Sequence, residues 1–171
     1  MKRPHYFLLL FIAILFSSSR DDFDNPSEYF PILMERPELE ASIKFRNAQD
    51  IINPGKIYYN DHFIYLNERY KGIHIIDNHM PSDPQNIGFI NIPGCIDMTI
   101  KNTSLFADNA TDLVAIDLSN PENLTVTNRI INAFPEATPP DLDYIPYMFT
   151  IANRPRNTVI VGWERINNQN P

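Results

Sequence analysis

The segment KIYYNDHFIYLNERYKGIHIID (56–77) returns later in the chain as DMTIKNTSLFADNATDLVAID (97–117). The two copies align at an offset of 41 residues at first and of 40 residues over their last six positions, so the second copy lacks one residue in an intervening turn. Each copy holds short apolar runs separated by turn residues, a pattern typical of β-strands. The repetition predicts that both copies adopt the same local structure.

A further strand is predicted after each copy. Both copies are followed by a turn that contains proline, at 77–81 and 117–121, and then by an apolar run, at 87–92 and 125–131. Four strands in a repeat of about forty residues are the signature of a β-propeller blade. A sandwich does not require a fixed period, and helical or leucine-rich solenoids do not have this strand content.

The third strand of each repeat, at 73–76 and 113–116, is nearly continuous apolar sequence. Such a strand must be covered on both faces, which neighbouring propeller blades achieve. We therefore predict an all-β fold with blade 1 over 56–94 and blade 2 over 95–131. Because a propeller closes with four to eight blades, this one is incomplete, and the second blade is expected to expose an apolar face.

The first residues of the chain predict export. Residues 1–19 combine Lys2 and Arg3, an unbroken apolar run and three serines, which is the order of a secretory signal peptide. The apolar run is too short to span a membrane comfortably. We therefore expect the protein in the periplasm, at the outer membrane or on the cell surface.

The segment between the signal and the blades is predicted to contain little regular structure. Residues 20–35 mix acids, prolines and aromatics without a period, and they are interpreted as a tether. Residues 36–55 are predicted to form a short helix and a lead-in to the first blade. Proline suits the first turn of this helix, and Leu39 and Ile43, four residues apart, would be its buried stripe.

The segment after the blades differs in kind. Residues 132–157 form a long loop that is rich in proline and aromatic residues, and residues 158–171 are predicted to start a further strand, with Trp163 as an anchor. A loop of this length in a compact domain is functional or disordered. Its aromatic residues either cover the edge of the core, which we favour, or form a binding surface. The candidates for that surface are Phe134, Tyr144, Tyr147 and Phe149.

Two aspartates and two prolines occupy equivalent positions at the end of the third strands. The carboxylates of Asp77 and Asp117 are predicted to accept backbone N–H groups of the following turn, while Pro81 and Pro121 fix φ there. We favour this role over metal binding, because each aspartate lies in its own blade without an acidic neighbour in sequence.

No catalytic, cofactor-binding or metal-binding residue is predicted. The chain has no HExxH, CxxC, GxSxG or glycine-rich phosphate motif. The oxygen-rich run 108–112 leaves calcium as a minor alternative, since it lacks the glycine and the later glutamate of a calcium loop. His74 is predicted to pack between blades, His62 and His79 to lie in solvated turns, and Cys95 to be a half-buried structural thiol.

Residues 112–124 (DLVAIDLSNPENL) and 72–87 (GIHIIDNHMPSDPQNI) resemble the repeat of the LVIVD-repeat proteins, exported β-propellers of Gram-negative bacteria. The similarity covers most of the chain after the signal. It implies a longer propeller of which this chain is an N-terminal part. Many family members resemble lipoproteins, but Ser19 stands where the lipidated cysteine is expected, so the chain cannot be lipidated at that position, and whether the protein is anchored stays open. The resemblance provides no catalytic residue.

The sequence leaves two functional hypotheses open. The first is a non-enzymatic scaffold that binds a protein or glycan; the second is a hydrolase or lyase whose active site lies in further blades. Three or more convergent carboxylates or histidines that line one cavity of the full-length protein would favour the enzyme, and a shallow, aromatic-lined surface without acids would favour the scaffold. The net charge of −7 disfavours nucleic acid as a partner, and the chain has no basic cluster.

Overall fold

The computed structural model describes residues 26–120 and 123–166, so the predicted signal at 1–19 and the turn residue Pro121 lie outside the described residues. The described strands form three open antiparallel sheets, which confirms the all-β prediction. One short helix, α1 (Arg36–Glu40), and a 3₁₀ turn (Tyr147–Phe149) accompany them. The strands are β1 (Tyr29–Glu35), β2 (Lys44–Arg46), β3 (Pro54–Asn60), β4 (Phe63–Glu68), β5 (Gly72–Asp77), β6 (Gln85–Asn91), β7 (Met98–Lys101), β8 (Ser104–Asn109), β9 (Asp112–Asp117), β10 (Thr125–Ile130) and β11 (Thr158–Arg165).

Each sequence repeat forms one sheet. The first has the order β2-β6-β5-β4-β3, and the second has the order β10-β9-β8-β7. Consecutive strands of a repeat are neighbours in both sheets, so β5 and β9 are internal strands, in agreement with their apolar sequences. β2 adds to the outer edge of the first sheet and was not predicted, since its three residues lie in the lead-in.

The first hairpins of the two sheets have the same register. Asn60 pairs with Phe63 in the first sheet, and Lys101 pairs with Ser104, 41 residues later, in the second. Asn102 adopts a φ of 56° in its turn, a left-handed conformation that asparagine tolerates better than most residues. The offset of 41 residues found in the sequence therefore also relates equivalent paired residues of the two sheets.

The second hairpins account for the missing residue. Glu68 pairs with Gly72 across a turn of three residues, whereas Asn109 pairs with Asp112 across a turn of two. The sequence prediction that the second copy loses one residue in this turn is confirmed.

A β-bulge recurs at the same position of the fourth strand. Ile87 in β6 and Thr127 in β10, 40 residues apart, each stand unpaired opposite the third strand. A bulge bends its strand and increases the local twist, so the two sheets deviate from a regular ladder at the same place. Periodicity alone did not predict it.

The two sheets pack against each other and share one apolar core. β3 lies beside β7, and the Tyr58 hydroxyl donates to the carbonyl oxygen of Ile100 across the junction at 2.7 Å. Full burial of one aliphatic side chain in this core stabilises the fold by roughly 1.5–3 kcal/mol. The buried members of this cluster are Tyr65, Ile73, Ile75, Ile90, Ile92, Cys95, Met98, Ile100, Leu105, Ala107, Val114, Ile116 and Leu118.

The prediction of a tether over 20–35 is wrong for its last seven residues, which form β1. This strand pairs antiparallel with β11, so its hydrogen-bond partner lies at the far end of the described chain. The predicted helix is also shorter than 36–43, because α1 ends at Glu40. Leu39 is fully buried with Val159 and Val161, but Ile43 lies beyond the helix and packs on the shared core instead.

A buried ion cluster connects α1, β9 and β10. The side chain of Asp112 is fully buried, and its Oδ2 accepts hydrogen bonds from Arg36 Nη1 (2.6 Å) and Arg129 Nη1 (2.8 Å). The backbone N–H of Asn132 donates to Oδ1 at 3.1 Å. Burial alone would raise the pKa of Asp112, but the hydrogen bonds from Arg36, Asn132 and Arg129 hold the pKa below its usual range.

We expect Asp112→Asn to lower the free energy of unfolding by about 3–5 kcal/mol, because it leaves two arginines without their carboxylate. Urea denaturation at pH 7 measures the loss, with Asp117→Asn, at a half-buried aspartate without an ion pair in the described ranges, as a control of smaller effect. Since folding depresses the pKa of Asp112, its contribution is present above about pH 4, the unfolded value, and is lost as the pH falls through the folded value. Equal stability losses in the two variants would contradict this account.

Candidate functional site

A cavity of about 800 Å³ opens on the face of the β7–β10 sheet that points away from the shared core. Thr99, Phe106 and Leu113 line it, and they lie on this face because their strand neighbours Ile100 and Leu105 point into the core. The volume is in the range of small-molecule sites, roughly 300–1,000 Å³. The apolar face expected on the second repeat is therefore one wall of a cavity.

The opposite wall comes from β11 and the loop before it. Ile160 and Val161 of β11 and residues 134–138 line this side. Ile160 and Val161 are almost fully buried and belong to the floor. Ile96 and Phe134 are 43% and 42% exposed, so they mark the mouth of the cavity.

The acidic groups of the lining are Asp97, Asp108, Glu136 and Asp143. Asp97 accepts a hydrogen bond from Lys56 Nζ at 2.5 Å, which lowers the pKa of Asp97. No hydrogen bond or ion pair joins Asp143 to another residue in the described ranges. The cavity lining is thus acidic, and its four carboxylates differ in the hydrogen bonds and ion pairs that they form within the protein.

Asp108 closes the turn that connects the two sheets. Its carboxylate accepts the backbone N–H groups of Ile96 at 2.9 Å and of Asp97 at 2.7 Å. Burial raises the pKa of Asp108 despite these donors. The carboxylate therefore stabilises this turn. It also faces the cavity without a cationic partner among the described residues.

The loop 132–157 is anchored by a buried arginine. Arg154 forms a bidentate ion pair with Glu136, and its Nη2 also donates to the carbonyl oxygen of Thr158 at 3.1 Å. Trp163 Nε1 donates to the carbonyl oxygen of Ala137 at 2.9 Å. These bonds hold the loop against β11, so both parts of this wall of the cavity are joined directly.

The predicted surface residues do not converge on one site. Phe134 lines the cavity mouth, whereas Tyr144 and Tyr147 are exposed and do not belong to the lining. Phe149 is buried and packs edge-on against Phe30 and near Trp163, so its assignment to a binding surface is wrong. The sequence could not distinguish them, because covering a core and facing a ligand need the same aromatic residue types.

The two capping aspartates lie in equivalent turns, away from the cavity. Asp77 Oδ1 accepts the backbone N–H of His79 at 2.9 Å, and Asp117 Oδ1 accepts that of Ser119 at 2.9 Å. Hydrogen bonds from the backbone and side chain of His79 lower the pKa of Asp77, and those from the side chain and backbone of Ser119 lower the pKa of Asp117. Pro81 is exposed in the first of these turns.

The three histidines of the described ranges, His62, His74 and His79, lie outside the cavity. His74 is fully buried, contacts the Phe89 ring at 4.9 Å between centroids and lies 3.3 Å from Glu68 through its Nε2. Burial raises the pKa of Glu68, but the backbone N–H groups of Asn53 and Ile52 outweigh it, so the pKa is lowered overall. This cluster fastens the 47–53 segment to the first sheet.

The run 108–112 is poorly suited to bind a metal ion. The carboxylate of Asp108 is engaged by backbone N–H groups, and that of Asp112 is held between two arginines. Within residues 26–120 and 123–166, no group of three or more His, Cys, Asp or Glu side chains could hold a metal ion.

No protein-family model, curated protein or solved structure matches this chain. None of the helices in the described part of the chain is long and apolar enough to cross a membrane.

Sequence reasoning missed the acids of the cavity, although one signal was present. Lys56 and Asp97 occupy the same position of the two repeats and carry opposite charges, and they form an ion pair between adjacent sheets. Glu136, Arg154 and Asp143 lie in the irregular loop or near it, where no period indicates which residues meet.

Cys95 is fully buried rather than half-buried, and Asn67 Nδ2 donates to its Sγ at 3.3 Å. Burial, with the nearby carboxylates of Asp108 and Asp97, raises the pKa of the thiol well above its usual value.

We expect the thiol of Cys95 to react with dithiobis(nitrobenzoate) at pH 8 at least about 100-fold more slowly in the native protein than in urea. Cys95→Ala combined with Ser119→Cys provides an exposed thiol for comparison. Equal rates for the two thiols in the native state would refute the burial.

Proposed function

We propose that this chain is a non-enzymatic binding scaffold of the cell envelope, built from blades of a β-propeller of the LVIVD-repeat type. Three observations support it: the resemblance of 72–87 and 112–124 to that repeat, the common register of the two sheets, and the bulge shared by Ile87 and Thr127. The position of β3 beside β7 is also what the inner strands of neighbouring blades require.

Further blades would explain two other features. The outer face of the first sheet exposes Ile57 and Tyr59, at 69% and 59%, and both are apolar enough to favour a covering partner. In the described ranges β11 has a strand neighbour, β1, on one edge only. The last blade of a closed ring would cover the first feature, and additional strands would complete the sheet at the second.

Export is proposed from residues 1–19 alone. A secretory signal in this segment supports a location in the periplasm, at the outer membrane or on the cell surface. Membrane association would require either this segment or a lipid anchor, for which Ser19 provides no thiol.

The cavity between the β7–β10 sheet and β11 is the observation that carries the proposal of binding. It is a large space with apolar walls from Phe106, Leu113, Ile160 and Val161, held between hydrogen-bonded sheets. An open pocket of this volume with mainly apolar walls is typical of a ligand site. A ligand, or a group of a protein or glycan ligand, that presents an apolar surface would fill it.

The alternative, a hydrolase or lyase, is favoured by one observation, the four carboxylates of the lining. Asp108 and Asp97 are neighbours whose pKa values are shifted in opposite directions, as in an acid–base pair. However, Asp108 already accepts two backbone N–H groups, Asp97 is paired with Lys56, and Glu136 is paired with Arg154. Carboxylates engaged in this way are poorly placed to exchange protons with a substrate, so we prefer binding.

The proposal is tested by filling the cavity. We expect 2-(naphthalen-2-yl)ethanol to bind the wild-type chain weakly, with Kd on the order of 1 mM for a ligand of this size. Thr99→Trp, on the cavity face of β7, should weaken this binding at least about tenfold by occupying the space. Lys101→Trp, two residues further on the same face but outside the lining, should leave binding unchanged.

Titration of amide chemical shifts measures these affinities. Absence of binding to the wild type, or an equal affinity in Thr99→Trp and the wild type, would show that the cavity is not the binding site.

A further inference from the structure

The charge of the cavity lining is unbalanced. Among the described residues the lining includes four carboxylates and no lysine, arginine or histidine. Lys56 and Arg154 neutralise Asp97 and Glu136 from outside the lining. Asp108 and Asp143 contact no cation in the described ranges, so the cavity retains negative charge beside apolar walls, where electrostatic interactions are strengthened.

The second repeat acquires this charge at a position where the first repeat has none. Asp108 is equivalent to Asn67, because Asp108 pairs with Leu113 as Asn67 pairs with Ile73. Asn67 is fully buried and uncharged, and its Nδ2 donates to the carbonyl oxygens of Gly72 and Cys95. A carboxylate is therefore not a requirement of the repeat, and it occurs in the copy whose residue lines the cavity.

Aromatic residues add to the same preference. Tyr70, Phe106 and Phe134 belong to the lining, and the face of an aromatic ring attracts cations. Burial raises the pKa of Asp108, which means that the folded protein destabilises this charge. A cation in the cavity would relieve the penalty, whereas an anion would increase it.

We infer that the ligand of this cavity is an organic cation, a protonated amine carried on an aryl or alkyl body. The body fills the apolar space between Phe106, Leu113 and Val161, and the ammonium group is attracted by Asp108 and Asp143. This inference rests on the proposed binding function of the cavity and specifies the chemical class of its ligand.

The test compares two probes of the same shape, 2-(naphthalen-2-yl)ethylamine and 2-(naphthalen-2-yl)ethanol, by titration of amide chemical shifts at pH 7. We expect the amine, which is protonated at this pH, to bind at least about tenfold more tightly than the alcohol. The advantage should diminish between 20 mM and 500 mM salt, because screening weakens the attraction of the partly exposed carboxylates.

Substitution of Asp143 tests the site, because, of the two acids without a cation partner in the described ranges, it is the one that accepts no backbone N–H group. Asp143→Asn should weaken binding of the amine about three- to tenfold and leave binding of the alcohol unchanged. Asp50→Asn removes the same charge from an exposed position outside the lining, and it should change neither affinity.

The outcomes separate the two claims. Equal affinities for amine and alcohol, or equal effects of Asp143→Asn and Asp50→Asn, would overturn the inference while leaving the cavity as a binding site. Failure of both probes to bind would overturn the proposed function and the inference with it.

Discussion

The structure depends on the apolar core that the two repeats share. Each sheet alone would expose one face of large aliphatic side chains, and neither would be stable in water. Ile73 and Val114, on the central strands of the two sheets, are fully buried in this one cluster. The two sheets pack against each other through one face each. The opposite face of the second sheet forms a wall of the cavity, and the opposite face of the first sheet leaves Tyr59 exposed.

Much of the fold could be predicted because its information is local and repeated. The offset between the copies predicted the strands, the turn that loses a residue and the internal position of β5 and β9. What failed was non-local. Tyr29–Glu35 looked like a tether because the partner of this strand, β11, follows more than a hundred residues later, and its own sequence has no alternation.

The candidate site was predicted only in outline. The apolar third strand of the second repeat predicted an apolar face that the repeats themselves do not cover. In the structure this face forms one wall of a cavity. Which acids reach the cavity depends on contacts such as Arg154 with Glu136, which spacing cannot reveal. Asp112 was read within an oxygen-rich turn, yet it belongs to an ion cluster whose arginines come from α1 and β10. Phe149 shows the same limit, since burial is not encoded in residue type.

Native-state hydrogen exchange tests the shared core most directly. If the two sheets form one cooperative unit, the amides of β5 and β9 will exchange only through global unfolding, with equal opening free energies that match the value from urea denaturation. If the amides of one sheet exchange through an opening that costs less by more than about 3 kcal/mol, the sheets are separate units and the account of a common core is wrong.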